Sequence, residues 1–579
     1  MVRLTIITIF WMFFLKEAYK KLRKKIIGTE FFMVIATVFA LASGQEQALI
    51  IIFSMLFIVH LIEQYIERAT QASLQKLLNL VPDTALIVED GVEKMIATPA
   101  LVPGMTVLVK TGMKIPVDGI VTQGKGMINE SSLTGESLLQ GKALSSRVYA
   151  GTFVESGTLL LCVEKVNKDT VFGKIGELLR QAELTKAPIV SLTNRIATLF
   201  TPLVLMLIGV IWLITNNSNL VTTLLVFGSP LELSLITPLT LVCGSIAAFK
   251  NGVLVKNSRA LERMASVDTI IFDKTGTLTL GKPQLLETIV VDNNCSPDTI
   301  IYLCAIAQRY AHAPFSHEII AQAEKMRGPV PYPESYESLA GHGIKMEYNG
   351  QIYWVGNRHY IEDADHAHIP FPPSLAICKS ETLVFLAAQD RLLGYLVLAD
   401  TIRPEAQQII DHLRKTGIKK TIIASGDKSG VVEKIAFSVG ATQAYGELFP
   451  EQKLALLQDL QKNGHSVVMV GDGINDVLAL KRADVGIALG GLRIEPALEA
   501  AQIVLMTDNL AQILFIRKLS QKIMNTIYQN LMIGFVCVHV GGFAIACTGL
   551  VTPVQATLFH AITDVLILLN SARLSFFRL

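Results

Sequence analysis

Charged residues are scarce in this chain of 579 residues: Asp, Glu, Lys and Arg make up 17% of it, against roughly 25% in ordinary soluble domains. The 51 Lys and Arg nearly balance the 49 Asp and Glu, and the net charge of +2 gives no electrostatic argument for nucleic-acid binding. A hydrophobic content of 51% and a mean hydropathy of +0.45 exclude disorder and collagen-like repeats. They also argue against a purely soluble protein.

Cysteines are few and widely scattered. The seven cysteines include no Cys-x-x-Cys pair, which argues against a disulfide framework, a zinc ribbon and a cysteine-pair metal-binding appendage. At about 100–200 residues per domain, the length allows three or four structural units.

Long apolar runs occur in three close pairs, and crossing a bilayer takes about 20 apolar residues. The pairs are residues 29–44 with 47–65, 196–215 with 221–247, and 527–548 with 552–572. The polar stretches 66–190 and 250–520 both follow an even number of spans, so we expect them on one side of the membrane. The basic cluster 16–25 lies on that side, which the positive-inside rule assigns to the cytoplasm.

The apolar segment 4–15 is short for a full span. Its basic residues follow the apolar run, whereas those of a signal peptide precede it. We interpret it as a marginal span followed by an amphipathic basic helix on the membrane surface. This topology puts the start of the segment outside, and two explanations are open: a further helix lies upstream, or Met1 is not the natural start.

A candidate nucleophile follows a predicted buried strand. Residues 266–273 alternate and then run apolar, and Asp273 is followed by Lys274-Thr275-Gly276-Thr277. Open α/β sheets bind ligands at the carboxyl ends of their strands, and these residue types suit a phosphate. A carboxylate there can attack a γ-phosphoryl group and store it as an acyl phosphate. A single Asp at a strand end is usually a cap or turn, but the full pentapeptide favours the nucleophile.

Three further motifs follow the same logic. A second strand, residues 466–470, ends in Gly471-Asp472-Gly473-Ile474-Asn475-Asp476, whose carboxylates suit Mg²⁺, although a lone Gly-Asp-Gly is commonly only a turn. Ser425-Gly426-Asp427 follows another strand, and Lys453 fits a lysine that reaches the phosphate. Together these motifs predict a doubly wound phosphotransfer domain that needs Mg²⁺ to bring negative oxygens to Asp273.

The motifs DKTGT, SGD and GDGIND, with the upstream Thr134-Gly135-Glu136-Ser137, together resemble those of P-type ATPases over nearly the whole chain. The resemblance implies that Asp273 is phosphorylated by ATP beside Lys274 and that Lys453 and Asp427 support the phosphate and nucleotide. It also implies a set of Mg²⁺ ligands: Asp273, Thr275 through its backbone carbonyl, Asp472 and Asp476. Two departures are Val477-Leu478 in place of the usual Ala-Pro and Ser425 in place of Thr.

The resemblance implies a multidomain α/β membrane protein. Its expected parts are a helical transmembrane domain, a β-rich actuator domain, and a doubly wound, haloacid-dehalogenase-like phosphorylation domain with an inserted α+β nucleotide-binding domain. We expect N-terminal helices at 1–66, the actuator at 67–190, a helix pair with the ion-site motif at 191–250, the phosphorylation domain at 251–283 and 390–519, the nucleotide-binding domain at 284–389, and a C-terminal helix pair at 520–579.

Residues 80–180 are rich in short β-type runs with Gly and Pro turns, which predicts a small, mostly β domain. It carries Thr-Gly-Glu-Ser, and the resemblance implies that Glu136 positions the water that hydrolyses the aspartyl phosphate. In isolation this tetrapeptide is usually a surface turn. Its place between the second and third long spans favours the catalytic interpretation.

The insert 284–389 carries candidate nucleotide-binding residues. Gly341 and Gly343 resemble the family's glycine pattern, which lets the backbone approach adenine or ribose closely. His317 matches the histidine of the His-Pro motif in the heavy-metal branch, with Glu318 in place of the proline. A lone histidine is usually structural, and that alternative is open for His317.

Polar residues within the later spans are candidates for an ion site. Ser229 and Pro230 precede Glu232, and an intramembrane carboxylate is costly and functional by default. Pro230 and Pro238 are expected to unwind the helix near the midplane. In the last span His560, Thr563 and Asp564 lie on one helix face at i, i+3 and i+4. The alternative is that His560 or Asp564 lies near the interface or satisfies a neighbour.

The heavy-metal branch normally carries Cys-Pro-Cys or Ser-Pro-Cys, but here Leu231 follows Ser229-Pro230. A thiolate selects monovalent copper, so its loss argues against copper and silver. The nearby Cys537 fits a small apolar residue. His560 takes the position of the branch's cobalt/zinc-type histidine, although the residues after it do not continue that pattern. Carboxylates, imidazole and hydroxyls suit Zn²⁺, Co²⁺, Fe²⁺ or Mn²⁺, and the sequence does not choose among them.

We therefore expect an ATP-driven exporter of a divalent transition-metal cation that uses Mg²⁺ and an aspartyl-phosphate intermediate. We expect it to act as a monomer in the lipid bilayer of a bacterial inner membrane, with cytoplasmic catalytic domains and no nucleic-acid partner. Two alternatives are a P-type pump for another cation and a membrane-anchored phosphohydrolase that transports nothing. The phosphohydrolase would leave Thr-Gly-Glu-Ser, the nucleotide insert and the broken polar helix without a purpose.

Overall fold

A computed structural model describes most of the chain in two compact units. One unit comprises Met1–Val267 with Gly490–Leu579, and the other Asp268–Leu489. The described residues are 12, 15–16, 19, 23, 29–44, 50, 82–89, 92–130, 139–171, 173–174, 188–228, 231–292, 294–310, 315–339, 342–363, 371, 382–388, 391–471, 476–490 and 499–578.

The first unit contains helix α1 (Thr29–Ala42) and then a seven-stranded antiparallel sheet. Its strands pair in the order β2-β1-β3-β7-β4-β5, with β6 on β4. They are β1 (Thr84–Glu89), β2 (Val92–Ala97), β3 (Thr106–Lys110), β4 (Asp118–Asn129), β5 (Leu139–Lys142), β6 (Arg147–Val148) and β7 (Phe153–Lys165). Alternate residues such as Val107 and Val109 point into the core, as the two-residue period of a strand requires. The predicted β-rich domain is confirmed.

A buried carboxylate joins two segments of this β domain. Asp118, 5% exposed, accepts hydrogen bonds from the backbone N–H groups of Ala150 at 2.8 Å and Val171 at 2.7 Å. Burial raises the pKa of Asp118 above its ordinary value, although both backbone hydrogen bonds act in the opposite direction. The side chain thus supplies the acceptors for two N–H groups that the strand ladder does not pair.

Helices follow in the same unit: α2 (Pro188–Thr215), α3 (Ser218–Phe227) and α4 (Leu231–Lys250), then β8 (Val253–Val255) and α5 (Ser258–Ser266). The predicted span 221–247, the fourth of the six long spans, comprises most of α3, which ends at Phe227, and α4, which begins at Leu231. The expected unwinding at Pro230 falls on residues 229–230, outside the described part. The expected unwinding at Pro238 is wrong, because α4 continues through it. A helix proline removes one backbone hydrogen bond, which transmembrane helices tolerate when neighbouring groups satisfy the freed carbonyl.

The second unit opens with β9 (Thr269–Asp273) and then an inserted α+β domain. Its antiparallel sheet has the order β10-β15-β14-β13-β12-β11, and apolar side chains of helix α6 such as Ile300 and Ile306 pack on it. The elements are β10 (Thr279–Val290), α6 (Pro297–Ala307), α7 (Ser316–Arg327), β11 (Ser335–Leu339), β12 (Gly343–Tyr348), β13 (Gln351–Gly356), α8 (Arg358–Asp363), β14 (Thr382–Ala388) and β15 (Arg391–Ile402).

The chain then completes a parallel sheet in the order β17-β16-β9-β18-β19, which confirms the doubly wound prediction. The elements are α9 (Ala406–Lys415), β16 (Lys420–Ala424), α10 (Ser429–Val439), β17 (Gln443–Tyr445), α11 (Pro450–Lys462), β18 (Val467–Gly471), α12 (Val477–Arg482) and β19 (Val485–Leu489). All residues of β9 and β18 are buried, as expected for strands covered on both faces.

The final segment returns to the first unit. It contains β20 (Ile503–Leu505), which pairs with β8, and helix α13 (Ala511–Leu531). The helix continues as a π-helical segment (Met532–Gly541), α14 (Gly542–Cys547) and, after a turn, α15 (Pro553–Ala572).

Three helices among the described residues are long and apolar enough to cross a bilayer: Pro188–Thr215, Ala511–Cys547 and Pro553–Phe576. They contain nearly all of the predicted spans 196–215, 527–548 and 552–572, and the first two begin well before the predicted positions. The predicted span 29–44 is helical over Thr29–Ala42. The predicted span 47–65 and most of segment 4–15 lie outside the described residues.

Replacing Asp118 with Ala is expected to destabilise the β domain by about 1–3 kcal/mol, because two buried N–H groups lose their acceptor. The measurement is the urea midpoint of the full-length protein, followed by limited proteolysis of this domain. Asp169→Ala, which removes an exposed carboxylate of the same domain, serves as the control. Equal midpoints for the two variants would contradict the role given to Asp118.

Candidate functional site

The carboxyl ends of three neighbouring parallel strands meet at one edge of the sheet in the second unit. Ala424, the last residue of β16, lies opposite Asp273, the last residue of β9. On the other side Val470 of β18 lies opposite Phe272. Because the strands end at the same level, the segments that follow them converge. The predicted clustering of Asp273 with Ser425-Gly426-Asp427 and Asp476 is therefore a consequence of strand register.

A buried ammonium group joins two of the predicted carboxylates. Lys453 Nζ lies 2.5 Å from Asp273 Oδ1 and 2.8 Å from Asp476 Oδ1, and all three residues are at most 7% exposed. Lys453 stands in the first turn of α11, which Pro450 begins. Burial by itself favours the neutral amine, but the charges of Asp273 and Asp476 outweigh it and raise the pKa of Lys453. The lysine thus stays cationic at neutral pH.

The residues after Asp273 form a tight turn, Lys274–Leu278. Gly276 has a φ of +69°, a left-handed conformation that favours glycine. The Lys274 ammonium forms an ion pair with Asp427, which joins the segments after β9 and β16. Thr275 is exposed at the start of the turn.

Arg403 is a residue of this edge that the sequence analysis missed. Its guanidinium donates to the backbone carbonyls of Thr277 at 2.8 Å and Gly276 at 3.3 Å, and it is 6% exposed. The arginine follows β15 in Asp-Thr-Ile-Arg-Pro. Its place shortly after the apolar run of residues 392–399 was an available signal, but only the fold shows that it reaches the turn after Asp273.

The candidate nucleotide-binding residues lie in the inserted domain. His317 is exposed in the first turn of α7, and Gly343 begins β12. A Cβ atom at Gly343 would lie 2.2 Å from the ring of Tyr360, so close packing inside the domain already requires this glycine. Gly341 lies outside the described residues. The nucleotide role of these residues stays a prediction.

Four further predicted site residues lie outside the described residues: Glu136, Ser229, Pro230 and Asp472. Glu232 is in the first turn of α4, but its side chain is not among those described.

The last helix places its three predicted site residues on its buried side, as the helical spacing predicted. His560 is 8% exposed, Thr563 7% and Asp564 8%. His560 Nε2 lies 3.9 Å from Asp564 Oδ2, and His560 Nδ1 lies 3.1 Å from the carbonyl oxygen of Val226. His560 therefore contacts the last turn of α3.

A second buried histidine lies beside this group, and the sequence analysis missed it. His539, in the π-helical segment, is 2% exposed, and its ring centroid lies 6.2 Å from that of His560. The signal was present, because an ionisable residue inside an apolar span is a functional candidate by default. Cys537, two residues earlier, is exposed on the helix surface.

The residues at the sheet edge fit Mg²⁺. In the described part of the chain no three His, Cys, Asp or Glu side chains form a group that could hold a metal ion. Two carboxylates, Asp273 and Asp476, nevertheless converge on Lys453, and the carbonyl of Thr275 follows directly. Magnesium takes a few carboxylate and carbonyl oxygens and completes its shell with phosphate oxygens and water.

Comparison with known proteins gives the class. The family model of the haloacid dehalogenase-like hydrolases matches residues 267–484, and that of the P-type ATPase actuator domain matches residues 79–180. A crystal structure of a zinc-transporting PIB-type ATPase in the E2.Pi state superposes with a TM-score of 0.67 and 26% identity, covering 99% of this chain and 95% of that one.

Relatives that are similar in sequence are also P-type ATPases. A manganese-exporting P-type ATPase of Mycobacterium tuberculosis is 30% identical over 578 residues, covering 98% of this chain and 80% of the relative. A probable copper-exporting P-type ATPase V of the same species is 33% identical over 569 residues, covering 95% and 72%. The chain belongs to the P-type ATPases, in the heavy-metal-exporting class. It is a membrane enzyme that couples ATP hydrolysis to metal export.

Replacing Arg403 with Lys is expected to slow phosphorylation by ATP on the order of 10- to 100-fold, because a lysine cannot span both turn carbonyls and small displacements of reacting groups are costly. Rapid-quench measurement of phosphoenzyme formation tests this. Arg414→Lys, which changes an exposed helix arginine, is the control. Identical rates in the two variants would show that Arg403 does not position Asp273.

Proposed function

We propose that this heavy-metal ATPase exports a divalent transition-metal cation of the Zn²⁺, Co²⁺, Fe²⁺ or Mn²⁺ class and that Asp273 carries the phosphoryl group. The observation that supports the catalytic half is the cluster of Asp273, Lys453 and Asp476 at the strand ends. The transport half is supported by the buried polar side chains of the last helix, of which His560 contacts the end of α3.

Asp273 is the nucleophile of the first step. An oxygen of its carboxylate forms a bond to the γ-phosphorus of ATP, the bond from that phosphorus to the bridging oxygen breaks, and ADP leaves. Lys453 offsets the charge that gathers at the reacting oxygens. Lys274 is held beside the strand end by Asp427, within reach of a phosphate bound at Asp273.

Mg²⁺ neutralises phosphate charge when bound, and Asp273, the Thr275 carbonyl, Asp472 and Asp476 are its proposed ligands. In the second step water attacks the phosphorus of the aspartyl phosphate, inorganic phosphate leaves, and Asp273 is regenerated. We assign to Glu136, in Thr-Gly-Glu-Ser, the removal of the proton from that water.

The inserted domain is the proposed ATP-binding domain. His317 is exposed at the start of a helix, where an imidazole is available to a nucleotide base. We keep Gly341 and Gly343 as the backbone positions near the nucleotide. We keep the boundaries given above for all six domains. We propose that the catalytic domains lie in the cytoplasm of a bacterial cell. We also propose that the enzyme acts as a monomer in the inner membrane.

Radiolabelled ATP is expected to leave an acid-stable, hydroxylamine-sensitive adduct on Asp273, and Asp273→Asn is expected to abolish it, because an amide is not a nucleophile for phosphorus. Gel autoradiography of the purified protein measures the adduct. Asp411→Asn, on an exposed helix face, is expected to label normally. Labelling that survives in Asp273→Asn would refute the assignment.

The proposed ion site combines Ser229, Pro230 and Glu232 of the fourth span with His560, Thr563 and Asp564 of the last. Helix α3 ends at Phe227, which leaves its last backbone carbonyls without intrahelical partners, and the last helix brings the His560 imidazole to one of them. These nitrogen and oxygen donors suit borderline and hard divalent ions, whereas monovalent copper requires thiolate or thioether.

Copper is disfavoured for a second reason. Leu231 stands where the family's cysteine belongs, and Cys537 is exposed on its helix. The relatives are named for manganese and copper and the solved structure for zinc, so the choice rests on the donor atoms of this chain. The family membership also favours a pump over a phosphohydrolase without transport.

Glu232→Gln and Asp564→Asn are each expected to abolish the stimulation of ATP hydrolysis by divalent metal, because each removes an anionic donor. The measurement is ATPase activity against Zn²⁺, Co²⁺, Fe²⁺ and Mn²⁺, with Asp273→Asn as the blank. Glu433→Gln, at an exposed helix position, controls for the exchange itself. Unchanged metal activation in both membrane variants would refute this site.

A further inference from the structure

The fifth span carries a buried histidine that none of the roles described above uses. His539 lies in the π-helical segment Met532–Gly541, a helix variant that is frequent at functional sites. The imidazole ring of His539 packs against Phe200, with ring centroids 5.3 Å apart, and against His560, with ring centroids 6.2 Å apart. A buried imidazole beside a predicted ion site needs a physical explanation.

Backbone contacts determine the tautomer of both histidines. His539 Nδ1 lies 2.5 Å from the carbonyl oxygen of Phe227, and His560 Nδ1 lies 3.1 Å from that of Val226. A carbonyl oxygen only accepts hydrogen bonds, so each Nδ1 must carry the hydrogen. In a neutral ring the lone pair then lies on Nε2. Metal-binding histidines are typically oriented in this way, with the second ring nitrogen donating to a backbone carbonyl.

Both carbonyls belong to the last turn of α3, which ends at Phe227; α4 begins at Leu231. Gly542 brings the fifth span close to the same place, since a Cβ atom there would lie 2.3 Å from the Phe227 ring. The end of one helix therefore orients two imidazoles from two other helices. The last helix already belongs to the proposed ion site, and His539 adds the fifth span to it.

The spacing of the rings allows one ion to bind both. A metal–nitrogen bond of about 2.0–2.1 Å puts a ring centroid about 3.2 Å from the metal, so two imidazoles on one ion have centroids up to about 6.4 Å apart. The observed 6.2 Å lies just inside that limit, which is reached when the two nitrogens lie opposite each other across the ion. Asp564 Oδ2 lies 3.9 Å from His560 Nε2, and the three side chains do not form a preassembled metal group among the described residues, so a bound ion would have to draw them together.

We propose that His539 is a further ligand of the transported ion and that the His539–His560 pair sets its selectivity. This inference rests on the proposed function and restricts the proposed cargo to Zn²⁺ or Co²⁺. Two neutral nitrogen donors with a carboxylate favour Zn²⁺ or Co²⁺ over Mn²⁺, because imidazole suits zinc-like ions whereas manganese prefers oxygen and binds more weakly to a given site.

The test compares His539→Gln with wild type in the purified full-length protein. Glutamine keeps an N–H that can donate to the Phe227 carbonyl but has no aromatic nitrogen lone pair. We expect the Co²⁺ concentration for half-maximal ATPase stimulation to rise about 10-fold or more, as the loss of a metal ligand implies. X-ray absorption of bound Zn²⁺ should lose one imidazole. Phosphorylation by inorganic phosphate, measured with Mg²⁺ and without a transition metal, should be unchanged.

His412→Gln, at a half-buried helix position of the second unit, is the matched control. His539→Cys guards against a glutamine variant that fails to fold, and it should shift the stimulation from Co²⁺ toward the softer Cd²⁺. An unchanged imidazole count and Co²⁺ response in His539→Gln would overturn the inference, as would the loss of phosphate labelling with no change in the metal spectrum.

Different outcomes would contradict the proposed cargo and the assignment of His539 as a ligand. If no divalent ion stimulates the wild-type enzyme, the proposed cargo is wrong, yet Zn²⁺ bound through His539 in the absorption spectrum would still support the ligand assignment. If wild type responds to Co²⁺ and His539→Gln responds identically, only the further inference is wrong.

Discussion

The buried Lys453 ammonium holds two carboxylates, Asp273 and Asp476, that would otherwise repel each other at the end of a sheet. Two like charges in a dry site are costly unless a cation compensates them. Here one lysine at a helix start contacts both at hydrogen-bond distance. In the proposed mechanism phosphorylation depends on this arrangement, because Asp273 must be ionised to attack phosphorus. Arg403 and the left-handed Gly276 then hold the following turn in place.

Buried polar groups in the membrane-spanning helices also need partners. Lipid supplies no hydrogen bonds, so the backbone carbonyls at a helix interruption need donors from the protein. His539 and His560 supply them to Phe227 and Val226. With Nδ1 of each ring bonded to a carbonyl, the lone pair lies on Nε2, the nitrogen that we propose as a ligand of the transported ion. The same two side chains would then satisfy the end of α3 and bind the ion.

Prediction from sequence succeeded where a single local pattern carries the information. The apolar strand before Asp273, the strand-end motifs and the polar face of the last helix are local, and the structure confirms their placement. It failed where partners come from distant segments. Arg403 reaches Gly276 across 127 positions and His539 reaches Phe227 across 312, so no spacing rule connects them. Pro238 misled the prediction because neighbouring helices, not local preference, decide whether a transmembrane helix tolerates a proline.

The order of residues along the chain therefore determined the class of chemistry by itself: an aspartate directly after a buried strand, the motifs that accompany it, and apolar spans with polar residues inside. These follow from hydrophobic periodicity and from residue types whose chemistry is local. Only the tertiary structure decided which groups meet, because register at the sheet edge and packing around the end of α3 depend on contacts between remote segments. The pairing of Lys453 with two acids and the orientation of two imidazoles by one helix end belong to that second category.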